Sequence, residues 1–383
     1  MKKIFLLLMA AVTIVACKND DTDFSSYTNG SSSSSSTDPI PEDAIKVISI
    51  TYSGGSVTVN GDDANYVTVN GADVTVTSEI DSLLLILSGT TTDGSLLVKR
   101  QKKYGIKLNG VSINNVDGSA INNQGSKYLY LEIADGTTNT LTDGTTYTEQ
   151  VYDQKGAFFS EGEVYLYGTG TLNVTGNCRH AIACDDFIVI DDDVTLNISS
   201  STDTGIKVND GLWINNGTID INVTAKAARG IRCDSVVVIN GGNTTITTRG
   251  DCVYDSSTMD YSSAACIKCD YPFTMTGGSL TMTSWGDGGK GINCTRDIIF
   301  KGGTLVAETN GDNTYGKPKA IKSDTGIFVS GGSFKANVAS SWACDNGYED
   351  GSLSDDELAK KRVTVEGSPT TKNITKKSVE IVY

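Results

Sequence analysis

A short phrase centred on isoleucine recurs along the chain and limits the possible folds more than any other feature. Neighbouring copies are 24 or 25 residues apart, except where a polar insertion lengthens the interval. Self-similarity at a period of this length indicates a solenoid, in which each repeat packs mainly against the next. The central isoleucines of six copies are Ile182, Ile206, Ile231, Ile267, Ile292 and Ile321.

Three strands are encoded in every copy. Apolar residues recur six and eight positions after the isoleucine, a glycine-rich turn comes next, and a further alternating segment follows the turn. In the copy at Ile267 these features are Phe273, Met275, Gly277-Gly278 and Leu280-Thr281-Met282. Strands this short need stacked neighbours about 4.8 Å away to pair their backbone. The pattern predicts an all-β fold, a single-stranded right-handed parallel β-helix with three short strands per coil and terminal caps.

The first 41 residues predict an export signal followed by a tether. Residues 1–16 contain two lysines and an apolar run too short to span a bilayer permanently, which is typical of a secretory signal. The sequence Ile14-Val15-Ala16-Cys17 resembles a bacterial lipobox, which implies cleavage before Cys17 and a lipid on its sulfur. Residues 17–41 are rich in serine and predict a flexible tether. The acidic stretch 18–23 is similar to the signal of surface-exposed lipoproteins, so we expect an outer membrane lipoprotein that faces the cell exterior.

The rest of the chain divides into three parts. Residues 42–103 alternate with the period of strands and predict an N-terminal cap and the first coils. Residues 104–347 carry the regular repeat, and residues 348–383 predict a C-terminal cap with a helix capping box at Ser354 to Glu357. One solenoid accommodates this length because its stability comes from contacts between neighbouring coils. We expect a monomer.

Cations recur at two positions of the first strand in each coil. The formal net charge of the chain is -15, which argues against a nucleic-acid partner and makes columns of cations unexpected. Rows of like charge repel, and an acidic polysaccharide such as pectin (polygalacturonate) would relieve that repulsion. Alternatively, these cations protect the strands and pair with acidic loops beside them. The candidate ligand-binding residues are Lys207, Arg229, Arg232, Lys268, Lys290, Lys319 and Lys322.

Aspartates precede the first strand in several coils. Carboxylates from successive coils would converge at the spacing of the stack, which suits calcium, a cation that takes six to eight oxygen ligands. Alternatively, aspartates at stacked turns only accept hydrogen bonds from nearby backbone. The candidate metal ligands are Asp203, Asp251, Asp287 and Asp312.

Cysteines occupy one position of the repeat. Cys184, Cys233, Cys269 and Cys294 each lie two residues after a central isoleucine, on the inward face, which predicts small core thiols stacked above one another. Cys252 and Cys266 flank a polar insertion and are the better candidates for a disulfide.

The outward positions of the second strand are apolar, and include Tyr165, Trp213 and Phe328. Such a stripe is usually a covered or a binding surface. A terminal segment would cover it, or its rings would stack on sugars.

Several segments of the repeat resemble a bacterial carbohydrate-binding β-helix family, whose characterised member binds polygalacturonate and cellulosic material with calcium. These segments are Gly105 to Ile113, Asn139 to Gly144, Gly168 to Val174 and the Gly-Gly turns. The resemblance covers roughly residues 80–345. It implies a non-catalytic, calcium-assisted protein that binds acidic plant-type polysaccharide. Thr295, where we expect an acidic residue, and the column of cysteines depart from the family pattern.

Two other functions fit the same sequence. A polysaccharide lyase would use calcium and a lysine or arginine base, but the cations form a repeated column rather than one distinct catalytic group. An adhesin would use the apolar stripe of the second strand. We therefore assign no catalytic residue from the sequence.

Overall fold

The computed structural model describes residues 45–149 and 151–383. The predicted signal at 1–16, the lipidation site Cys17 and the tether at 17–41 lie outside the described residues. Within those residues, no helix is long and apolar enough to cross a membrane.

The repeat folds into a parallel β-helix of about 11 turns, as the sequence predicts. Three columns of parallel strands run along it, here called the first, second and third stacks. The first stack consists of Asp73–Val76, Ser95–Val98, Ile121–Asn123, Gly156–Ser160, His180–Cys184, Ile206–Val208, Arg229–Cys233, Ala265–Cys269, Lys290–Cys294, Lys319–Ser323 and Trp342–Asp345.

The other two stacks form the remaining faces. The second stack consists of Leu129–Ile133, Val164–Gly168, Phe187–Ile190, Gly211–Ile214, Val236–Ile239, Phe273–Met275, Ile298–Phe300, Ile327–Val329 and Thr364–Val365. The third consists of Thr138–Thr142, Thr171–Gly176, Thr195–Ser200, Thr218–Val223, Asn243–Thr248, Ser279–Ser284, Thr304–Thr309 and Ser333–Val338.

Long strands begin the solenoid. Leu83–Thr91 and Tyr104–Asn114 each run through the positions of both the second and the third stack, so the two faces join at this end. Lys46–Ser53 pairs in parallel with Leu83–Thr91 and in an antiparallel hairpin with Ser56–Gly61. A 3-10 helix at Ala64–Tyr66 leads to Val67–Asn70, which pairs antiparallel with Asp73–Val76.

The inward faces of the three stacks form one continuous core. The six central isoleucines are at most 4% exposed, and those from Ile206 to Ile321 lie directly above one another. Cys233, Cys269 and Cys294 stack beside them as free buried thiols, as predicted. Cys252 and Cys266 are also free, so the disulfide candidate between them is not formed.

The Gly-Gly turns have a steric cause. The second glycine of each pair adopts a φ between 68° and 82°, a region that side chains disfavour. The first glycine lies against the preceding coil: a Cβ on Gly277 would be 2.5 Å from the carbonyl oxygen of Asn240. Because both constraints repeat in successive coils, the dipeptide repeats too. The second glycines are Gly242, Gly278, Gly303 and Gly332.

The C-terminal segment closes the last coil. Ser378–Val382 pairs antiparallel with Ser333–Val338 and with Thr371–Ile374. A short helix, Asp355–Lys361, begins at the predicted capping box, in which the Glu357 carboxylate accepts a hydrogen bond from the Ser354 backbone N–H at 2.9 Å. Asp345 fixes this segment to the solenoid, since it forms ion pairs with Lys319 at 2.5 Å and Arg362 at 2.7 Å.

One long insertion leaves the regular coil. Between Ile231 and Ile267 the chain forms an antiparallel hairpin from Val253–Asp255 and Asp260–Ser262. A shorter insertion at 310–318 lies in the coil after Ile292.

Candidate functional site

The predicted cations lie side by side on the first stack. Lys207 pairs in register with Arg232, Arg232 with Lys268, and Asn293 with Lys322. In the second column, Arg229 is level with Ala265 and Lys290 with Lys319. The register that the sequence requires for a row of cations is therefore present.

Carboxylates neutralise part of this row. Lys207 Nζ lies 2.6 Å from Asp234 Oδ2, and Arg232 bridges Asp234 at 2.8 Å and Asp270 at 2.9 Å. Burial alone would raise the pKa of Asp234, but the hydrogen bonds from Lys207 and Arg232 outweigh it, so this pKa is lowered. These cations pair with the acidic loops, as one of the two sequence interpretations holds.

Two further candidates are also paired. Lys322 Nζ lies 2.6 Å from Asp324. Lys319 is buried and belongs to the contact with Asp345 at the C-terminal end. Lys319 is therefore placed to hold the cap rather than to reach a ligand.

Lys268 differs from its neighbours in the row. Lys207 and Arg232 each reach the aspartate of the following coil, but the equivalent position for Lys268 is Thr295. In the described part of the chain, Lys268 forms no ion pair. Burial, together with the charges of Arg232 and Arg229, lowers its pKa. Lys268 therefore carries a half-buried positive charge without a bound carboxylate.

Arg229 and Lys290 lie in the coils on either side of Lys268, each level with Ala265, and are likewise free of ion pairs within residues 45–149 and 151–383. Arg229 donates to Ser262 Oγ at 2.9 Å, and its buried Nε has no hydrogen-bond partner among the described residues. Lys290 Nζ donates to Ser263 Oγ at 3.0 Å and to the carbonyl oxygens of Gly288 and Lys317, each at 2.7 Å. Burial, and then the charge of Lys319, lowers the pKa of Lys290 to about 8. We call Arg229, Lys268 and Lys290 the cation cluster.

Three tyrosines from the two insertions lie beside this cluster. Tyr254 and Tyr261 pair across the hairpin with ring centroids 5.2 Å apart, and Tyr315 lies 6.2 Å from Tyr261. Tyr254 is 53% and Tyr315 is 66% exposed. The repeat pattern did not identify these residues because both insertions lie outside it, although aromatic residues in polar insertions were a visible signal. We call them the tyrosine cluster.

The predicted metal ligands mostly bind backbone. Asp251 accepts the N–H of Asp287 at 3.0 Å, Asp287 accepts that of Tyr315 at 2.9 Å, and Asp312 accepts that of Thr314 at 3.1 Å. Asp203 faces His180, with Oδ2 3.5 Å from Nδ1. In their described positions these aspartates shape the turns and insertions.

Three other carboxylates do lie close together. In the described part of the chain, Asp153, Glu161 and Asp185 place ligand oxygens within 4.8 Å of one another. Burial, and then the charge of Asp185, raises the pKa of Glu161. Lys155 pairs with both Asp153 and Asp185.

The apolar stripe of the second stack is half-buried and rich in rings. Phe187 lies 5.7 Å from Trp213 and Tyr130 lies 6.1 Å from Tyr165, centroid to centroid. At the far end of this stack, Thr364 pairs with Phe328 and adds one more rung.

Comparison with known proteins places this site in context. The model of the family described as carbohydrate-binding domain-containing protein matches residues 70–341. This chain belongs to that family. The match includes the cation cluster and both insertions.

One relative and one solved structure are similar to this chain. A carbohydrate-binding domain-containing protein of Acetivibrio thermocellus is 29% identical over 137 residues, which span 34% of this chain and about half, 47%, of the relative. The polysaccharide lyase-like protein from C. thermocellum, solved as a gadolinium derivative, superposes with a TM-score of 0.54 at 24% identity. That match covers 66% of this chain and 96% of the other. At this identity the likeness shows a shared fold.

Proposed function

We propose that the protein binds acidic polysaccharide of the polygalacturonate type, without cleaving it, at the cation cluster on the first stack. The observation that carries the proposal is Lys268, a half-buried cation without an ion pair among the described residues, in a family of carbohydrate-binding domains. A bound uronate carboxylate would supply the negative charge that Asp234 and Asp270 supply to the neighbouring cations.

The local positive charge explains why a polyanion would bind at the cation cluster and not elsewhere on this acidic protein. With a formal net charge of -15, the molecule as a whole repels polyanions, so binding requires a place where cations prevail. Arg229 and Lys290 add charge from the two adjacent coils, and among the described residues they hydrogen-bond to hydroxyl or carbonyl oxygens. The positive potential of these two groups is therefore not cancelled by a bound carboxylate.

Calcium and the cell surface belong to the same proposal. Calcium would bridge carboxylates of the protein and of the polysaccharide, since it takes oxygen ligands from both. Asp153, Glu161 and Asp185 are the described carboxylates closest to such a geometry. A lipid on Cys17 would hold the domain at the outer membrane with its face toward the exterior.

The lyase alternative is not favoured. Lys207, Arg232 and Lys322 are engaged by carboxylates, and Lys290 is 6% exposed with its amine bound to three oxygens. A base must reach the proton that it abstracts, which these contacts oppose. Lys268 lacks such a contact among the described residues, and the product assay below tests it as a base.

The test supplies the carboxylate that the repeat lacks at position 295. Thr295→Asp would give Lys268 an ion pair and should weaken retention on polygalacturonate in affinity electrophoresis by roughly tenfold, the loss expected for one charge-assisted contact. Thr295→Asn, which is similar in size but neutral, is the matched control and should be retained like the native protein. Lys268→Gln should behave like Thr295→Asp.

The same samples separate the alternatives. Ultraviolet absorbance follows unsaturated product with polygalacturonate and calcium, and a chelator is added to half of the lanes. Product formation would refute the non-catalytic proposal, and equal retention of the Asp and Asn variants would refute the role of Lys268. Retention that is unchanged by the chelator would refute calcium assistance alone.

A further inference from the structure

The tyrosine cluster has no role in the core. Tyr254 and Tyr315 are exposed, and among the described residues none of the three hydroxyl groups makes a hydrogen bond. The rings come from two separate insertions. Tyr261 and Tyr315 are 54 residues apart in the sequence and meet only because their coils are stacked. An exposed group of rings at such a meeting point is typical of a binding surface.

The insertions are held firmly. Lys290 bonds to Ser263 of the first insertion and to Lys317 of the second, so one amine joins both. Asp287 accepts the backbone N–H of Tyr315 at 2.9 Å. These bonds hold the backbone of both insertions in place before any ligand arrives, which lowers the entropy cost of binding.

The cluster also adjoins the cation cluster. Ser262, the neighbour of Tyr261, receives the hydrogen bond of Arg229, and Ser263 receives that of Lys290. The carboxylates of the hairpin are turned to its own backbone: Asp255 accepts the N–H of Ser257 and Asp260 that of Tyr261. The rings therefore lie next to positive charge, a pairing that suits a sugar ring joined to a carboxylate.

We propose that Tyr254, Tyr261 and Tyr315 form a stacking subsite for one pyranose ring of a uronate chain whose neighbouring carboxylate lies at the cation cluster. This inference rests on the proposed function and extends it to a second contact of different chemistry. The C–H face of the sugar packs on the rings, so the contact depends on ring area and not on charge.

The test measures binding of galacturonate oligomers of increasing length by calorimetry. The native protein should gain affinity when the oligomer is long enough to reach both clusters. Tyr254→Ala with Tyr315→Ala should lose roughly three- to tenfold in affinity for the long oligomers and nothing for the shortest that binds, since a stacked ring contributes about this much. Tyr254→Phe with Tyr315→Phe should bind like the native protein.

Tyr271, 54% exposed and outside the cluster, supplies the control. Tyr271→Ala should leave the dependence on length unchanged. If the native protein binds the oligomers and the double Ala variant binds them equally well, the subsite is refuted while the proposed function stands. If the native protein binds none, the proposed function fails, and the subsite with it.

Discussion

Lys207 and Lys268 occupy the same position of the repeat and differ in what surrounds them. The first reaches Asp234 in the next coil, and for the second the equivalent position in the next coil is Thr295. A single residue in the adjacent coil thus decides whether a cation is neutralised. In this repeat protein, the cation without a carboxylate partner is therefore found where the next coil departs from the repeat pattern.

Asp345 is the residue whose loss should cost the most stability among the ion pairs. Replacing it with Asn leaves Lys319 and Arg362, 7% and 4% exposed, without a counter-charge. Uncompensated buried charges of this kind cost about 3–5 kcal/mol of unfolding free energy. Urea unfolding of Asp345→Asn measures it. Asp324→Asn, at an exposed pair, should lose less than about 1 kcal/mol, and equal losses in both variants would contradict the assignment.

Protonation of Asp345 should also lower the stability of the folded protein at acid pH. Burial would raise the pKa of Asp345, but Lys319, the backbone of Gly347 and Arg362 outweigh it, and the pKa is lowered. Its contribution to stability is then complete above the unfolded value of about 3.9 and is lost as pH falls below it. Thermal unfolding between about pH 5 and pH 2 should show a smaller fall in stability for Asp345→Asn than for the native protein.

At the scale of the element, the Gly-Gly turn should tolerate no side chain. Ala at Gly278 would place Cβ 2.5 Å from the carbonyl carbon of Gly241 at a φ of 72°. The left-handed backbone alone costs about 1–2 kcal/mol, and the clash adds to it. Gly351→Ala, with open space around the new methyl group, should unfold like the native protein. The difference in urea midpoint between the two variants is the measurement.

The strands and the places of the insertions were predictable from the sequence, but the contacts that the insertions make were not. Each strand repeats one period-two pattern, so the alignment of six isoleucines fixed the register of Lys207, Arg232 and Lys268 before the structure was known. Carboxylate partners were harder to assign, because a side chain can reach either its own coil or the next. Tyr261 and Tyr315 belong to insertions without a repeat, and only the folded chain brings them together.

At the scale of the whole molecule, binding and stability should respond differently to salt. Polysaccharide affinity should fall steeply between about 0.05 M and 0.5 M salt, because the screening length for exposed charges shrinks from about 14 Å to about 4 Å over this range. The melting temperature should change little, because the core is apolar and continuous. Parallel calorimetry and thermal scans at both concentrations test this. Affinity that is independent of salt would contradict binding at the cation cluster.

The buried cysteines can report local unfolding of individual coils. Among the described residues, seven cysteines are buried and Cys178 is partly accessible, and they are spread from the middle of the axis to its C-terminal end. An alkylating reagent applied to the native protein should mark Cys178 first. Modification of any buried cysteine would report that its own coil has opened locally. Mass spectrometry of samples taken over time could therefore rank the coils by how often each one opens.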